Sequence, residues 1–526
     1  MMRWRLRSPR KLSNAVSRRH WAWFVGVALL TVLIRVPALV HPRAIDDETI
    51  YSVVALEMLE GGDPYVDAVE RKPPLLFWTY ELTFRVVGAY NWVGLHIVAV
   101  LWVLFSVWMC YLIGRNLIDE RVGLVAAVLY SVYQPWAYWR NLAFNGEVLM
   151  NLPVLLAIWI VFRPARSSIR LELIVAGALL CAAFLLKQPA AIAAVPIGVY
   201  LLLPSYRRSR GIGVRQSVVQ AALLTIGFFG TLAGVVAYLA GRGILADAYY
   251  WTIADHDVPH GPTDPVFWIR GGRYTVAFVA ACAPLVIGAI LSLRAGAFGR
   301  DRWATRRPEF ITLVGLLFVS ILGVSVAGRF YPHYYIQLLP PLALLAAPAL
   351  AGAWTARSPG MPWYLRRSVG AVWLAATVVV FLVSHVVGLA PRRAAGEAAR
   401  YIRENSVEAD RVFVWGQNPS VYLDARRRPA SRYVATFPLT GYIFGSPLSW
   451  DPDYDTAGRI VPGSWDNLQA DLAEHPPRFI VDTDAARATA RYPMRDFPAL
   501  QEYVDEMYEV VYRAADGVIY RRLDPQ

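Results

Sequence analysis

Three consecutive carboxylates, Asp46-Asp47-Glu48, stand just past the first long apolar run, and Lys72-Pro73-Pro74-Leu75 follows in the same polar stretch. Acids at a membrane exit are easily solvated and can take a proton from a hydroxyl that arrives from water. A lysine close by offers a point charge for a phosphate. Further on, Lys187-Gln188-Pro189 joins two apolar runs, and Asn145-Gly146-Glu147 opens another. Gly328-Arg329-Phe330-Tyr331-Pro332-His333-Tyr334-Tyr335 separates two more. Lysine is rare: of 52 Lys plus Arg, only Lys11, Lys72 and Lys187 are lysines, and the last two lie beside proline at apolar ends. Each feature also has an ordinary reading. Acids at a helix start suit its dipole, lysines near span ends snorkel to headgroups, and aromatics gather at interfaces. Arg35, near the outer end of the first run, snorkels or pairs with an acid of the following loop.

These residues must be positioned by membrane helices. The chain has 526 residues, is 56% hydrophobic and only 17% charged, and has a mean hydropathy of +0.38. Soluble domains carry about 25% charged residues, so the class is integral membrane. The net charge of +13 sits mainly in short loops between apolar runs, a topology signal and not a nucleic-acid footprint. Cys110, Cys181 and Cys282 all lie within apolar runs, so they form no disulfide framework. Residues 1–20 are basic, and the run Trp21–Val40 is too long for a signal-peptide core. The expectation is an uncleaved first helix with a cytoplasmic tail, 1–20.

About eleven runs are long enough to cross ~30 Å of hydrocarbon. They fall near 21–40, 92–113, 122–138, 147–162, 171–186, 190–204, 217–240, 275–293, 310–327, 337–353 and 369–389. Arginine in alternate short loops puts the N-terminus inside. The acidic triplet, Lys72, Lys187, the 241–274 loop, Arg329 and His333 then share the outer side. In loop 41–90, Asp47–Glu60 and Leu75–Val87 have the spacing of interfacial amphipathic helices. Asp255-His256-Asp257-Val258-Pro259-His260 has metal-ligand residue types, although unbound loop histidines are commoner. The membrane domain is expected over 21–390. From about Pro391 charge rises, and 391–526 reads as a small extracytoplasmic α/β domain. Its helices are expected at 392–405, Asp466–Glu474 and 498–506, with strands at Arg411–Trp415 and Phe479–Val481. A terminal hairpin, Tyr508–Arg513 and Val518–Arg522, turns at Asp516-Gly517.

The ordered set of acids after the first helix, KPPL, a Lys-x-Pro hairpin and an Arg-aromatic-Pro-His-Tyr segment resembles a known family. It is similar to the GT-C glycosyltransferases of the protein O-mannosyltransferase and lipid A aminoarabinose-transferase type, over most of residues 21–350. The resemblance implies a polytopic α-helical GT-C fold. It implies transfer of a hexosyl or pentosyl group from a polyprenyl-phosphate donor, with inversion. The acceptor would be a lipid, glycan or protein on the outer face of a bacterial plasma membrane. It implies Asp47 as general base and Glu48 as the group orienting base or acceptor, with Asp46 the alternative register. Lys72, Lys187 and Arg329, with His333 beside them, match cations that neutralise the departing phosphate. Glu147, Tyr51 and Arg71 are further candidates for substrate contact. The aminoarabinose enzymes carry Glu directly before the KPP lysine, where a metal can bind. Here that residue is Arg71, with Glu70 one place earlier. No cofactor is therefore assigned, and only a divalent cation stays open. The expected partners are the donor, the acceptor and membrane lipids, without nucleic acid.

The competing reading is a lipid or sugar transporter or flippase. Against it, no pair of Gly/Pro-broken helices recurs in matching halves, and the charges gather on one side. A third reading is a non-catalytic polymer-export subunit that binds through its tail domain.

Overall fold

The computed structural model describes residues 18–42, 46–136, 139–163, 169–255, 261–298, 306–353, parts of 371–389, 396–442, 455–485 and 492–523. Most of the basic tail, part of the expected span 369–389 and residues 256–260 of the Asp/His cluster lie outside the described residues.

The body is helical: α1 (Arg18–Val40), α2 (Asp46–Leu59), α3 (Pro74–Val87), α4 (Trp92–Leu117), α5 (Glu120–Val132), α6 (Gly146–Phe162) and α7 (Ile169–Leu186). It continues through α8 (Ala194–Leu202), α9 (Pro204–Arg210), α10 (Val214–Gly241), α11 (Leu245–Tyr249), α12 (Pro265–Ala281), α13 (Ala283–Phe298), α14 (Arg307–Ser325) and α15 (Leu339–Ala353). Several of these helices are apolar on the outside too. Leu101 and Phe105 of α4, Ile226 and Phe229 of α10, and Phe318 of α14 are all at least half exposed. Such surface is a liability in water and none in hydrocarbon. Among the described residues, five helices are long and apolar enough to cross a membrane, or up to seven if each of two bent pairs is one span.

Proline explains where the apolar runs break. The run expected as one span at 275–293 is divided between α12 and α13, which meet at 80°. Pro284 sits in the first turn of α13; it lacks an N–H and its ring crowds the preceding turn, so one helix cannot continue through it. Pro204 likewise turns α9 by 56° from α8. Where α7 meets α10 the backbones touch. A Cβ on Gly177 would lie 2.0 Å from the Leu224 carbonyl oxygen, and one on Gly227 would lie 2.0 Å from that of Ile174. Small residues permit this approach between apolar helices.

Toward the C-terminus a five-stranded sheet forms from β1 (Arg411–Trp415), β2 (Arg428–Pro429), β3 (Phe479–Asp482), β4 (Tyr508–Ala514) and β5 (Gly517–Arg522). Its order is β2-β1-β3-β5-β4. β1 runs parallel to β2 and β3, with Val412 opposite Phe479, while β5 is antiparallel to β3 and β4. β1 is buried from Val412 to Trp415 and carries β-branched and aromatic side chains, which suits a central strand. β2 and the helix Ser420–Ala425 were not expected; two and six residues are too short for periodicity to register. The sheet packs on α2 and on the 60–73 segment that follows it, and shares one apolar core with α2 and α3. Arg428 grips Glu57 of α2 at 2.5 Å, and the Val69 N–H donates to the Arg432 carbonyl at 2.9 Å.

Candidate active site

α2 starts at the acidic triplet, so successive carboxylates point about 100° apart. Asp47 leaves its side chain 43% exposed, whereas Glu48 turns inward and is 1% exposed. Glu48 Oε1 accepts a hydrogen bond from the Phe144 backbone N–H at 2.5 Å. Its Oε2 lies 3.6 Å from His96 Nε2, which also lies 3.0 Å from the Pro42 carbonyl oxygen. Burial pushes the Glu48 carboxyl up to about 8, although the Phe144 N–H and Arg35 pull it back. Glu48 is therefore mostly protonated near neutral pH, and its bonds make it an anchor of the 139–146 segment. Arg35 is fully buried and secures the same segment, donating to Gln134 Oε1 at 3.1 Å and to the Leu142 carbonyl at 2.5 Å. The Tyr80 hydroxyl donates to the Phe144 carbonyl at 2.8 Å.

The secured segment delivers the start of α6. Asn145 caps it, accepting from Val148 N–H at 3.3 Å, and the next residue but one is Glu147. A Cβ on Gly146 would lie 3.0 Å from both the Leu186 carbonyl oxygen and Lys187 Cδ, so glycine lets the end of α7 press against this helix start. Lys187 Nζ reaches Glu147 Oε1 at 2.8 Å and lies 4.7 Å from the Tyr334 ring centroid. His333 Nε2 is 3.6 Å from Asp47 Oδ2 and 4.0 Å from Glu147 Oε1, with its ring stacked on Tyr331. Residues distant in the chain thus converge: Asp47, Glu147, Lys187 and His333.

Tyr51 lies one helical turn beyond Asp47 and is buried. Burial, then the carboxylates of Asp47, Glu70 and Glu147, push its phenol well above the ordinary tyrosine range. Lys72 Nζ stands 5.6 Å from the Tyr51 ring centroid and 3.2 Å from Glu70 Oε1. Its backbone carbonyl accepts from the Tyr65 hydroxyl at 2.8 Å. Arg71 points away from this group. It pairs with Asp255 at 2.6 Å and lies 4.6 Å above the Phe437 ring, bracing the 241–255 loop against the sheet-bearing segment. Arg329 follows the left-handed Gly328 and is half-buried; among the described residues no ion pair joins it to the Asp47 cluster. Asp46 occupies the first position of α2.

The residues do not fit a metal at the position before Lys72. That position is the cation Arg71, engaged by Asp255, and Glu70 is engaged by Lys72. Among the described residues no group of three or more His, Cys, Asp or Glu is gathered as a metal site. Sequence reasoning passed over His96, Gln134 and Tyr80. A lone His or Gln in an apolar run carries no periodic signal, and only the fold shows that they converge on Glu48, Arg35 and Phe144.

Residues 71–233 match the family described as dolichyl-phosphate-mannose-protein mannosyltransferase. An undecaprenyl phosphate-alpha-4-amino-4-deoxy-L-arabinose arabinosyl transferase of Pseudomonas aeruginosa (strain UCBPP-PA14) is 27% identical over 355 residues, which is 64% of this chain and 60% of that protein. A second, from Pseudomonas fluorescens (strain Pf0-1), is 26% identical over 351 residues, 63% of this chain and 60% of its own. The chain thus spans about 60% of the length of these curated relatives. ArnT from Cupriavidus metallidurans, solved with undecaprenyl phosphate, superposes with a TM-score of 0.61 at 16% identity, covering 97% of this chain and 100% of that one. The oligosaccharyltransferase AglB from Archaeoglobus fulgidus, solved with an inhibitory peptide and a dolichol-phosphate, gives 0.54 at 12% identity, covering 96% and 74%. The fold is that of ArnT and AglB, and the sequence is similar to the PMT family model and to the ArnT-type transferases.

Proposed function

We propose that this chain is a membrane glycosyltransferase. It moves a sugar from a polyprenyl-phosphate donor to a hydroxyl of a lipid, glycan or protein acceptor, with inversion. The observation that carries the reading is the convergence of an exposed carboxylate, Asp47, with His333 and the buried Lys187–Glu147 pair. The relatives named for undecaprenyl-phosphate aminoarabinose transfer, and the neighbour solved with undecaprenyl phosphate, support the donor class.

In this reading the acceptor hydroxyl approaches Asp47 from water. Asp47 takes its proton as the oxygen attacks the anomeric carbon. The bond from that carbon to the lipid phosphate oxygen breaks on the opposite face, and the phosphate leaves with the electron pair. Lys72 and Lys187 neutralise the charge that develops on it, the step at which fixed cations contribute most. Arg329 supplies a further cation on the same membrane side. His333 holds the Asp47 carboxylate in place, and Tyr51 closes the wall beneath it. Glu147 fixes the Lys187 ammonium. Glu48 positions the site through Phe144.

The same reading places the N-terminus in the cytoplasm, about eleven spans in a bacterial plasma membrane, and both the Asp47 cluster and residues 391–526 outside. The test is transfer by membranes carrying the protein, supplied with a panel of labelled polyprenyl-phosphate sugars. We expect label to move from one donor into an acceptor fraction, and to stay on the donor with Asp47→Asn. Donor binding without transfer by the unsubstituted protein, across the panel, would overturn the reading.

A further inference from the structure

A second polar site lies away from the Asp47 cluster. A cavity of about 610 Å³ opens between the turn that follows α2, the outward side of α3 and the end of α10. None of Asp47, Lys72, Lys187 or His333 lines it. Met58, which does, is eleven residues along α2 from Asp47, about 16 Å at 1.5 Å per residue.

Two arginines dominate the rim. Arg85 binds Glu81 Oε1 through Nε at 3.1 Å and Nη2 at 2.6 Å. Arg242, just past the end of α10, binds Asp63 Oδ1 through Nε at 3.2 Å and Nη2 at 2.7 Å. Each guanidinium is thereby oriented by its carboxylate, and Nη1 stays outside the pair. The exposures are unequal: 58% and 47% for the arginines against 17% and 25% for Glu81 and Asp63. A ligand that arrives from outside meets guanidinium first. Planar guanidinium donors match phosphate oxygens better than any other side chain does.

One wall of the cavity is aromatic. Trp78 stands edge-on to Tyr238, with ring centroids 5.4 Å apart. Next to the cavity α10 exposes Phe229 and Ile226, and α3 exposes Leu82 and Val86. α10 is one of the helices able to cross a membrane, so this cavity sits where its apolar length ends and charge begins. A soluble phosphate would use only the rim, whereas a phospholipid would use rim and wall together.

We propose that this cavity binds the phosphate of a membrane phospholipid, with the guanidiniums of Arg85 and Arg242 on its oxygens, its glycerol edge against Trp78 and Tyr238, and its acyl chains along α10. The site is separate from the cations assigned to the donor and does not depend on sugar transfer.

The test is native mass spectrometry of the purified full chain. It is titrated with phosphatidylglycerol, with diacylglycerol of the same chains, and with inorganic phosphate. We expect a saturable phosphatidylglycerol adduct that the double variant Arg85→Gln/Arg242→Gln weakens at least about tenfold, a loss of about 1.4 kcal/mol. Gly234→Leu gives an independent variant. A Cβ there meets nothing within 4 Å, so the new side chain fills the cavity without forcing the helix, and it should weaken the same adduct. Unchanged affinity in both variants would overturn the proposal. So would diacylglycerol binding as tightly as phosphatidylglycerol, or inorganic phosphate displacing the lipid at equal concentration.

Discussion

His333 Nε2 lies 3.6 Å from Asp47 Oδ2, which joins the start of α2 to the segment that leads into α15. Asp47 is the more exposed partner, 43% against 21% for His333. Asp47→Asn is nearly isosteric and should keep donor binding while turnover falls by on the order of 10²–10⁴. Asp46→Asn should be milder. His333→Ala should lower turnover less than Asp47→Asn, because it removes a positioning contact and leaves the base. Single-turnover transfer assays rank the three. Full activity in Asp47→Asn with loss in Asp46→Asn would move the base by one residue.

The donor cations differ in what their removal leaves behind. Lys187→Ala strands the buried Glu147 carboxylate, so it should lower thermal stability as well as donor affinity. Lys72 is 24% exposed, but its partner Glu70 is buried too, so Lys72→Ala should weaken donor binding and lower thermal stability less than Lys187→Ala does. Loss of one charge-assisted contact costs about 1.5–3 kcal/mol, roughly one to two decades in affinity. The double variant Lys187→Met/Glu147→Gln should recover stability and not donor binding. Equal donor affinity in all of these variants would remove both lysines from the site.

Much of this was legible in the residues, for identifiable reasons. Long apolar runs and an acidic triplet before a helical pattern show themselves locally, and α2, α3, α4 and α6 lie close to their expected ranges. The convergence of Lys187 with Glu147, 40 positions apart, has no local trace. Nor does the difference between Asp47 and Glu48, adjacent acids of which one faces solvent and the other is enclosed by Phe144 and His96. Arg71 illustrates the converse. It neighbours Lys72 in sequence, yet it extends the other way to Asp255 and Phe437. Proline breaks were readable in principle, since Pro284 and Pro204 are visible in the chain, but hydropathy windows average across them.

Topology is open to a direct measurement. The three native cysteines are buried, so background labelling should be low. Arg495, with an 82% exposed side chain, and Ser209, on the exposed end of α9, stand on opposite sides in the proposed arrangement. An impermeant maleimide should label Arg495→Cys in intact cells and label Ser209→Cys only after lysis. The reverse pattern would invert the orientation and move the Asp47 cluster to the cytoplasmic face.

The last prediction concerns pH. Glu48 is raised from 4.5 to about 8 by burial, so between those values the folded chain holds a proton that the unfolded chain has released. Stability rises with pH only where the unfolded state binds more protons; here it binds fewer, so Glu48 makes stability fall as pH climbs from about 4.5 to about 8. The slope is at most about 1.4 kcal/mol per pH unit. Glu48→Gln keeps an oxygen that can accept from the Phe144 N–H, carries no charge and does not titrate. Its thermal midpoint in detergent should therefore fall less than that of the unsubstituted chain between pH 5 and pH 8. Parallel curves would mean that Arg35 holds Glu48 ionised throughout, and the anchor would then be an ion pair and not a neutral hydrogen-bonded acid.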